Sequence, residues 1–269
     1  MYEVLQQHPQ CFVPEAKDLY FFDRYYHFGI DWYKKFFQPA ITSPVRVAGE
    51  LSHDYLFSEQ AATRIRTHLP DVKLITCLRD PVDRTFSHYL YLVRSGLTQA
   101  PFREALGQFP ELMNNSLYAT HLQVYLKLFP REQLLILNFD DFQADSRAFA
   151  RRLFDFLGLD FVDEIAYEKR VLSAEKPRSG SLARMMKAGA NLARRFGLAN
   201  LVGRIKRGTL KTLIYEPYSQ DERPVLSPAD RRYLEQAFRP EMEELQRLLG
   251  TQVNEFGGWL TSVHHAEQV

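Results

Sequence analysis

Cysteine and long apolar runs are both scarce in this sequence. Its 269 residues include only two cysteines, Cys11 and Cys77, so no disulfide framework can be built and a reducing compartment is expected. No apolar run approaches the roughly 18 residues of a membrane-spanning helix. The first residues also lack the charged and then apolar pattern of a secretion signal. We therefore expect a soluble, cytoplasmic protein.

An excess of charge of one sign is absent as well. The formal net charge is +1, which argues against a nucleic-acid partner. The charge is unevenly spread, however, because residues 176–215 contain ten Lys or Arg and no Asp or Glu. With 45% apolar residues, the chain has enough material for one sizeable core. We predict an α/β core over residues 1–175, against which a basic helical segment and a C-terminal helix, residues 176–269, pack.

A glycine-rich loop that could cradle a phosphate is the third absence. Such loops combine closely spaced glycines with Lys-Ser or Lys-Thr at the start of a helix. The glycines of the basic segment are instead scattered through a largely helical pattern, at Gly180, Gly189, Gly197, Gly203 and Gly208. The general phosphate-cradling signature is therefore missing.

The stretch KLITCLRDPVDRTFSHY predicts a strand, a tight turn and a helix. Leu74–Leu78 is an apolar run with the length and composition of a strand buried on both faces. Asp80 can cap the helix that follows, and Pro81 fits its first position. Ligands of open parallel sheets lie beyond the carboxyl ends of the strands, which places Arg79 beside such a crevice. Ser87 follows a little under two helical turns beyond Pro81.

An arginine and a hydroxyl at these positions suit a phosphate ligand, because both donate hydrogen bonds to phosphate oxygens. The same Arg-Asp-Pro pattern is also typical of a capped helix start with a local ion pair. The residues alone leave both interpretations of Arg79 open.

Further along, a second strand and helix repeat this order. Leu134–Phe139 has the pattern of another buried strand, and Ser146–Leu157 that of a helix ending before Gly158. Strands that alternate with helices favour parallel pairing. We therefore predict an α/β fold in which helices flank a parallel sheet. Its C-terminal part is expected to be helical, with a last helix from Pro228 to about Leu249.

The segment LRDPVDRTFSHY resembles the 3′-phosphate-binding motif of the sulfotransferases that use 3′-phosphoadenosine 5′-phosphosulfate (PAPS), of the heparan-sulfate and bacterial type. The resemblance implies that Arg79 and Ser87 hold the 3′-phosphate of PAPS. It also implies a P-loop-NTPase-like parallel sheet, and it extends from Met1 to about Trp259.

The beginning of the chain is similar to a family segment that directly follows the 5′-phosphosulfate loop, since MYEVLQQHP matches LYxxLxxHP. The resemblance therefore implies that the first, central strand and this loop are absent here. A start codon assigned too late is the explanation we favour. A deliberately trimmed chain and a true remnant without transferase activity are the alternatives.

Two further segments resemble the acceptor side of the family. AKDLYFFDRYYHF is similar to its Lys-Glu-x-His-Phe-Phe segment, which assigns Asp18 to the general base that is usually a Glu. GELSHDYL resembles Gly-Glu-x-Ser-Pro-x-Tyr, which makes Glu50 a second catalytic candidate. The alternative for Glu50 is an ion pair that holds the loop, to Arg79 or Arg84. His53 replaces the usual proline and fits either a loop residue or a base.

The basic segment begins with Lys-Pro-Arg-Ser, which is similar to a late loop of the family that folds over the nucleotide. Lys176 and Arg178 are therefore candidates for contacts with the 3′-phosphate or the adenine side, and a solvated loop is the alternative. Residues 182–213 then alternate apolar and cationic residues. This pattern fits a helix lying on an anionic membrane, an entrance for an anionic acceptor, or a solvated basic face.

Together with the resemblance, these residues predict transfer of a sulfuryl group from PAPS to a hydroxyl or amine acceptor, with no metal ion required. A glycan, a lipid head group and a small molecule all fit as the acceptor. The alternative function is an inactive or truncated sulfotransferase-like module that binds adenosine 3′,5′-bisphosphate without turnover.

Overall fold

Short strands surrounded by helices make up the computed structural model of the chain. The structure describes residues 1–167 and 224–250, the backbone of 175–177 and 215–217, and isolated positions at 185, 188–189, 192–193, 256 and 259–260. The strands of these residues are β1 (Cys11–Phe12), β2 (Val47–Ala48), β3 (Leu74–Leu78), β4 (Leu134–Asn138), β5 (Glu175–Pro177) and β6 (Tyr215–Pro217). Their helices are α1 (Tyr2–Gln7), α2 (Ile30–Lys34), α3 (Gln38–Ile41), α4 (Glu59–His68), α5 (Pro81–Arg94), α6 (Phe102–Gln108), α7 (Glu111–Asn114), α8 (Tyr118–Leu128), α9 (Phe139–Ala144), α10 (Ser146–Leu157) and α11 (Pro228–Leu249).

Local capping signals fix where the longer helices begin and end. The Ser58 hydroxyl accepts from the Ala61 N–H at 3.1 Å and starts α4. The Asp80 carboxylate accepts from the Asp83 N–H at 3.0 Å and starts α5. At the other end of α10, Gly158 has a φ of +75°, the left-handed conformation that commonly ends a helix. The predicted cap of α5 and the predicted end of α10 are confirmed.

The strands that lead to the predicted sites pair in parallel. β1 pairs with β2 in the register Cys11↔Val47, and β3 pairs with β4 from Leu74↔Leu134 to Leu78↔Asn138. The pair β5 and β6 is antiparallel. Because parallel strands end at the same edge, the loops after β1 and β2 lie side by side, and so do the loops after β3 and β4. The predicted α/β fold with parallel strands flanked by helices is confirmed.

Two apolar clusters cover the two faces of the β3–β4 pair. Leu74, Leu134 and Ile136 belong to a large cluster with α4, α5, α8 and α11. Ile75 and Leu135 belong to a smaller cluster with α1, β1 and α10. Since successive side chains of a strand point to opposite faces, this division shows a sheet between two helical layers.

β3 is less buried than its sequence predicts. Leu74–Cys77 are half-buried and only Leu78 is fully covered, whereas β4 is buried at four of its five residues. Within the described part of the chain the two strands pair only with each other, and the greater burial of β4 accompanies its contacts with α9 and α10. The expectation of a strand buried along its whole length was therefore wrong for β3 and correct for most of β4.

The aromatic segment between β1 and β2 folds into short helical turns. It contains a π-helical turn (Phe21–Tyr25), two 3₁₀ turns (Tyr26–Phe28 and Lys35–Phe37) and the helices α2 and α3. Phe21 and Phe22 are fully buried, and Phe21 stacks on Tyr33 with ring centroids 4.8 Å apart. Arg64 of α4 donates to the carbonyl of Phe22 at 2.8 Å. The segment is thus fixed against α4, immediately after the loop that carries Asp18.

The C-terminal helix α11 packs on α8 and α5. Its buried face comprises Leu234, Phe238, Met242, Leu245 and Leu249, and the predicted helix is confirmed. The Ser227 hydroxyl caps it by accepting from the Asp230 N–H at 3.0 Å. Beyond it, the Trp259 indole donates to the side chain of buried Asn138 at 3.3 Å, which attaches the end of the chain to the end of β4. No helix among the described residues is long and apolar enough to cross a membrane.

Candidate functional site

Arg79 directly follows β3, at the edge where the sequence places a ligand crevice. The guanidinium is half-buried, and its carbon lies 5.3 Å from the centroid of the Phe139 ring. It forms no ion pair with any carboxylate in the portion of the chain that the structure describes. The next residue, Asp80, is occupied as the cap of α5. A half-buried cation without an acid partner suits an anionic ligand.

Ser87 lies at the middle of α5. Its side chain is exposed and makes no hydrogen bond to a described residue. Other polar groups of α5 are engaged: Asp83 accepts from Arg231 of α11 at 2.7 Å, and Arg84 donates to the carbonyls of Glu111 and Leu112. The β3–α5 unit therefore carries two hydrogen-bond donors, the Arg79 guanidinium and the Ser87 hydroxyl, of the kind that phosphate groups bind.

The predicted late-loop residues are only partly described. The strand β5, whose backbone includes Lys176, lies beside α5 and pairs with β6 in the register Lys176↔Glu216. The backbone at Lys176 is thus near the helix that carries Ser87. Arg178 and most of residues 182–213 lie outside the described residues. The roles of Lys176 and Arg178, and a membrane contact through 182–213, stay predictions.

Glu50 follows β2 and is surrounded by hydroxyl groups. One carboxylate oxygen accepts from the Tyr55 hydroxyl at 3.0 Å and the other from the Ser52 hydroxyl at 2.9 Å. The Tyr33 hydroxyl also bonds to this carboxylate. Burial raises the pKa of Glu50 to about 7, although the three hydroxyl donors act in the opposite direction.

The ion pair considered for Glu50 is not formed. Arg84 is directed to the carbonyls after α6 and to Ser116, and the Arg79 guanidinium faces the Phe139 ring. The reason is topological, because Glu50 ends the β1–β2 pair whereas both arginines belong to the β3–α5 unit. Hydroxyl groups of its own loop and of the aromatic segment take the place of the cation.

Asp18 lies on the loop after β1, and its backbone is unusual. Its φ is +60°, in the left-handed region that non-glycine residues seldom adopt. Its N–H donates to the Leu51 carbonyl at 2.9 Å, which ties this loop to the loop after β2. Its carboxylate accepts from the backbone N–H of His53 at 3.3 Å and also bonds to Nδ1 of the His53 ring. Strained backbone of this kind is concentrated at functional sites.

The structure therefore brings the predicted site residues together in two groups. Asp18 and Glu50 lie on adjoining loops at the end of the β1–β2 pair, close enough for the charge of Asp18 to add to the raised pKa of Glu50. Arg79 and Ser87 lie on the β3–α5 unit. Both groups occupy carboxyl ends of parallel strands, which is where α/β folds bind ligands.

Sequence reasoning missed the partners of both carboxylates. Ser52 and Tyr55 stand two and five residues after Glu50, so the motif GELSHDYL contained a signal for them. Tyr33 comes from the distant aromatic segment and gave none. The contact between His53 and Asp18 joins residues 35 positions apart and follows from the pairing of β1 with β2.

Comparison with known proteins agrees with this architecture. The family model described as "Sulfotransferase domain" matches residues 1–195. The mouse heparan sulfate glucosamine 3-O-sulfotransferase 3B1 is 32% identical over 167 residues, which is 58% of this chain and 42% of that protein. The human bifunctional heparan sulfate N-deacetylase/N-sulfotransferase 3 is 31% identical over 180 residues, which is 59% of this chain and 20% of that protein. The chain thus spans less than half the length of these relatives.

A solved structure is similar over a larger share of the chain. The crystal structure of a sulfotransferase from Alicyclobacillus acidocaldarius superimposes with a TM-score of 0.55 and 27% sequence identity, covering 78% of this chain and 91% of that one. The matched family model spans well over half of the chain. On these grounds, the chain belongs to the family of PAPS-dependent sulfotransferase domains.

Proposed function

We propose that this chain transfers a sulfuryl group from PAPS to a hydroxyl or amine group of a glycan. The observation that carries the proposal is the half-buried guanidinium of Arg79, which stands at the end of β3 without a carboxylate partner among the described residues. The exposed Ser87 hydroxyl on the following helix supports it. A bisphosphate nucleotide supplies the negative charge that this arrangement lacks.

Arg79 and Ser87 hold the 3′-phosphate of the donor in this proposal. Lys176 and Arg178 add cationic contacts to the same nucleotide, and the position of β5 beside α5 supports the contribution of Lys176. The binding energy orients the sulfuryl group for in-line displacement, in which the acceptor atom approaches opposite the leaving phosphate oxygen. No metal ion takes part.

The group that deprotonates the acceptor includes the carboxylate of Asp18, and Glu50 supports the loop beside it. Asp18 suits this role because its side chain keeps contact with solvent, at 15% exposure, and because its backbone is strained, as is common at functional sites. Glu50 is engaged by three hydroxyl groups, and its pKa of about 7 leaves it partly neutral near neutral pH. Its role in catalysis is to hold the loop geometry and to bias the charge around Asp18.

A glycan acceptor is favoured by the relatives. The names of two of them refer to sulfation of heparan sulfate, one at an oxygen of glucosamine and one at a nitrogen. Both chemistries need a carboxylate or an imidazole that removes one proton from the acceptor as the new bond to sulfur forms.

The test is transfer of labelled sulfuryl groups from PAPS to heparan sulfate and to N-desulfated heparan sulfate. We expect incorporation into at least one of them by the unaltered chain. Asp18→Asn should reduce incorporation at least 100-fold without changing the affinity for adenosine 3′,5′-bisphosphate. Asp31→Asn is the matched control, since Asp31 is 91% exposed and lies on α2. Nucleotide binding without incorporation into either glycan would contradict the proposed transfer and support a binding module.

A further inference from the structure

The proposed mechanism gives no role to His53, which the sequence left open as a loop residue or a base. Its side chain is 72% exposed, yet His53 makes two hydrogen bonds to Asp18, one from the ring and one from the backbone. Nδ1 of the imidazole bonds to Oδ1 of Asp18, and the backbone N–H of His53 donates to the same oxygen at 3.3 Å. The other ring nitrogen, Nε2, makes no hydrogen bond to a described residue.

The hydrogen bond determines which nitrogen carries the proton in the neutral ring. An ionised carboxylate only accepts hydrogen bonds, so the nitrogen that bonds to Asp18 must be Nδ1–H. Nε2 then carries the lone pair and is able to accept a proton. A carboxylate behind Nδ1 and a basic Nε2 in front is the arrangement that serves as general base in many hydrolases.

The neighbouring sequence explains why such an arrangement suits this chain. Asp18 is one methylene shorter than the glutamate that the resembling motif carries, and His53 occupies the position of the motif's proline. A carboxylate that ends short of the acceptor gains reach through an imidazole bonded to it. The two departures from the motif compensate each other in one contact.

We propose that Nε2 of His53 is the atom that takes the proton of the acceptor, and that Asp18 is the positioning residue that orients the imidazole and stabilises its protonated form. This inference rests on the proposed sulfuryl transfer. The acceptor oxygen or nitrogen forms a bond to sulfur while the bond from sulfur to the 5′-phosphate oxygen breaks. The leaving electron pair stays on the phosphate, and the acceptor's proton moves to Nε2 and later to water.

The charges around His53 set the direction of the pH dependence. The hydrogen bond from Asp18 raises the pKa of His53 above its ordinary value, and the charges of Asp18 and Asp54 act in the same direction. Partial burial and Lys17 act against them. A protonated Nε2 accepts nothing, so kcat/KM should rise with pH through this raised pKa and level off above it. Arg24 pairs with Asp54 and moderates its charge.

The experiment compares the unaltered chain with His53→Ala, Asp18→Asn and the control His121→Ala. His121 is a half-buried histidine on α8 whose ring bonds to the backbone carbonyl of Asn114 and makes no contact with Asp18, Glu50 or His53 among the described residues. Transfer from PAPS to heparan sulfate is measured from pH 5.5 to 9, with and without added imidazole. Nitrogen NMR of the ring gives a second readout that does not depend on turnover.

We expect His53→Ala to lower kcat/KM about 100- to 10,000-fold and to abolish the rise of kcat/KM with pH. Added imidazole should raise kcat/KM of this variant at least tenfold. His121→Ala should match the unaltered chain. The NMR spectrum should show an unprotonated Nε2 at high pH, and Asp18→Asn should lower the pKa of His53. Asp18→Asn should not be rescued by imidazole, because the native ring is still present.

Two outcomes would overturn the inference, and they are separable from failure of the transfer itself. If the unaltered chain transfers sulfuryl groups and His53→Ala does so at the same rate with the same pH profile, His53 takes no proton. A ring found with its proton on Nε2 at high pH would have the same consequence. If the unaltered chain shows no transfer to either glycan, the proposed function fails first, whatever the state of the ring.

Discussion

Replacement of Glu50 by glutamine should make the protein more stable at high pH and leave it nearly unchanged at low pH. Burial raises the pKa of Glu50 from an ordinary value of 4.5 to about 7. The folded protein therefore favours the neutral acid. Its contribution to stability is fully present below pH 4.5 and is lost as the pH rises through about 7. Each pKa unit corresponds to about 1.4 kcal/mol of folding free energy. Partial contact of the carboxylate with solvent reduces the total, so ionised Glu50 lowers the free energy of unfolding by about 2–3 kcal/mol at pH 8.

The assay is urea denaturation of both proteins at pH 4.5 and at pH 8, followed by tryptophan fluorescence. The difference in the free energy of unfolding between Glu50→Gln and the unaltered protein is compared at the two pH values. Any effect of the amide that does not depend on pH then cancels. We expect this difference to change by about 2–3 kcal/mol in favour of glutamine at pH 8. Glu132→Gln, at an exposed position beside β4, serves as the control. A difference that is the same at both pH values would refute the buried, partly neutral state of Glu50.

Substitutions at three positions test the contacts that support the site, each by urea denaturation at pH 7. Ser58→Ala removes the cap of α4 and should cost about 1 kcal/mol, whereas Ser58→Asn should cost little. Leu234→Ala leaves a cavity under α11, where the side chain is fully buried, and should cost about 2–5 kcal/mol. Arg231→Ala breaks the half-exposed pair with Asp83 and should cost less than about 1 kcal/mol. Equal losses from Leu234→Ala and Arg231→Ala would contradict the view that the apolar face of α11 holds it in place.

Elements with local signals were predictable from the sequence. α10 runs from Ser146 to Leu157, as the periodic apolar pattern and Gly158 indicated. α5 begins at Pro81 because the capping residue and the proline are adjacent in the chain. These signals act within a few residues, so a single sequence contains all the information that they need.

Features that depend on distant partners were not predictable. The half-burial of β3 depends on which elements pack against each strand, and the short helical turns of the aromatic segment depend on packing against α4. The periodicity of apolar residues indicates which face of a helix or strand is buried, but it does not indicate which elements pack against that face. The same limit applies to Tyr33, which reaches Glu50 across the fold.

The residues of the candidate site also divide into those that the sequence identified and those that only the structure revealed. Arg79 was identified by its place at the end of a strand, which is a local property. The family resemblance supplied the roles of Asp18 and Glu50, and the structure supplied their hydrogen-bond partners. The bond between Asp18 and His53 emerged only from the pairing of two strands. The role of a residue that depends on a contact across the fold can be assigned only from the three-dimensional structure.

The measurement that tests the central claim most directly is calorimetry of nucleotide binding. Adenosine 3′,5′-bisphosphate and adenosine 5′-monophosphate are titrated into the unaltered chain, into Arg79→Ala, and into Arg66→Ala as a control with an exposed arginine on α4. A charge-assisted contact to phosphate contributes about 1.5–3 kcal/mol, so Arg79→Ala should bind the bisphosphate about 10- to 100-fold more weakly. It should also lose most of the preference for the bisphosphate over the monophosphate, while Arg66→Ala keeps both properties. Equal affinity of Arg79→Ala and the unaltered chain for the bisphosphate would contradict the account.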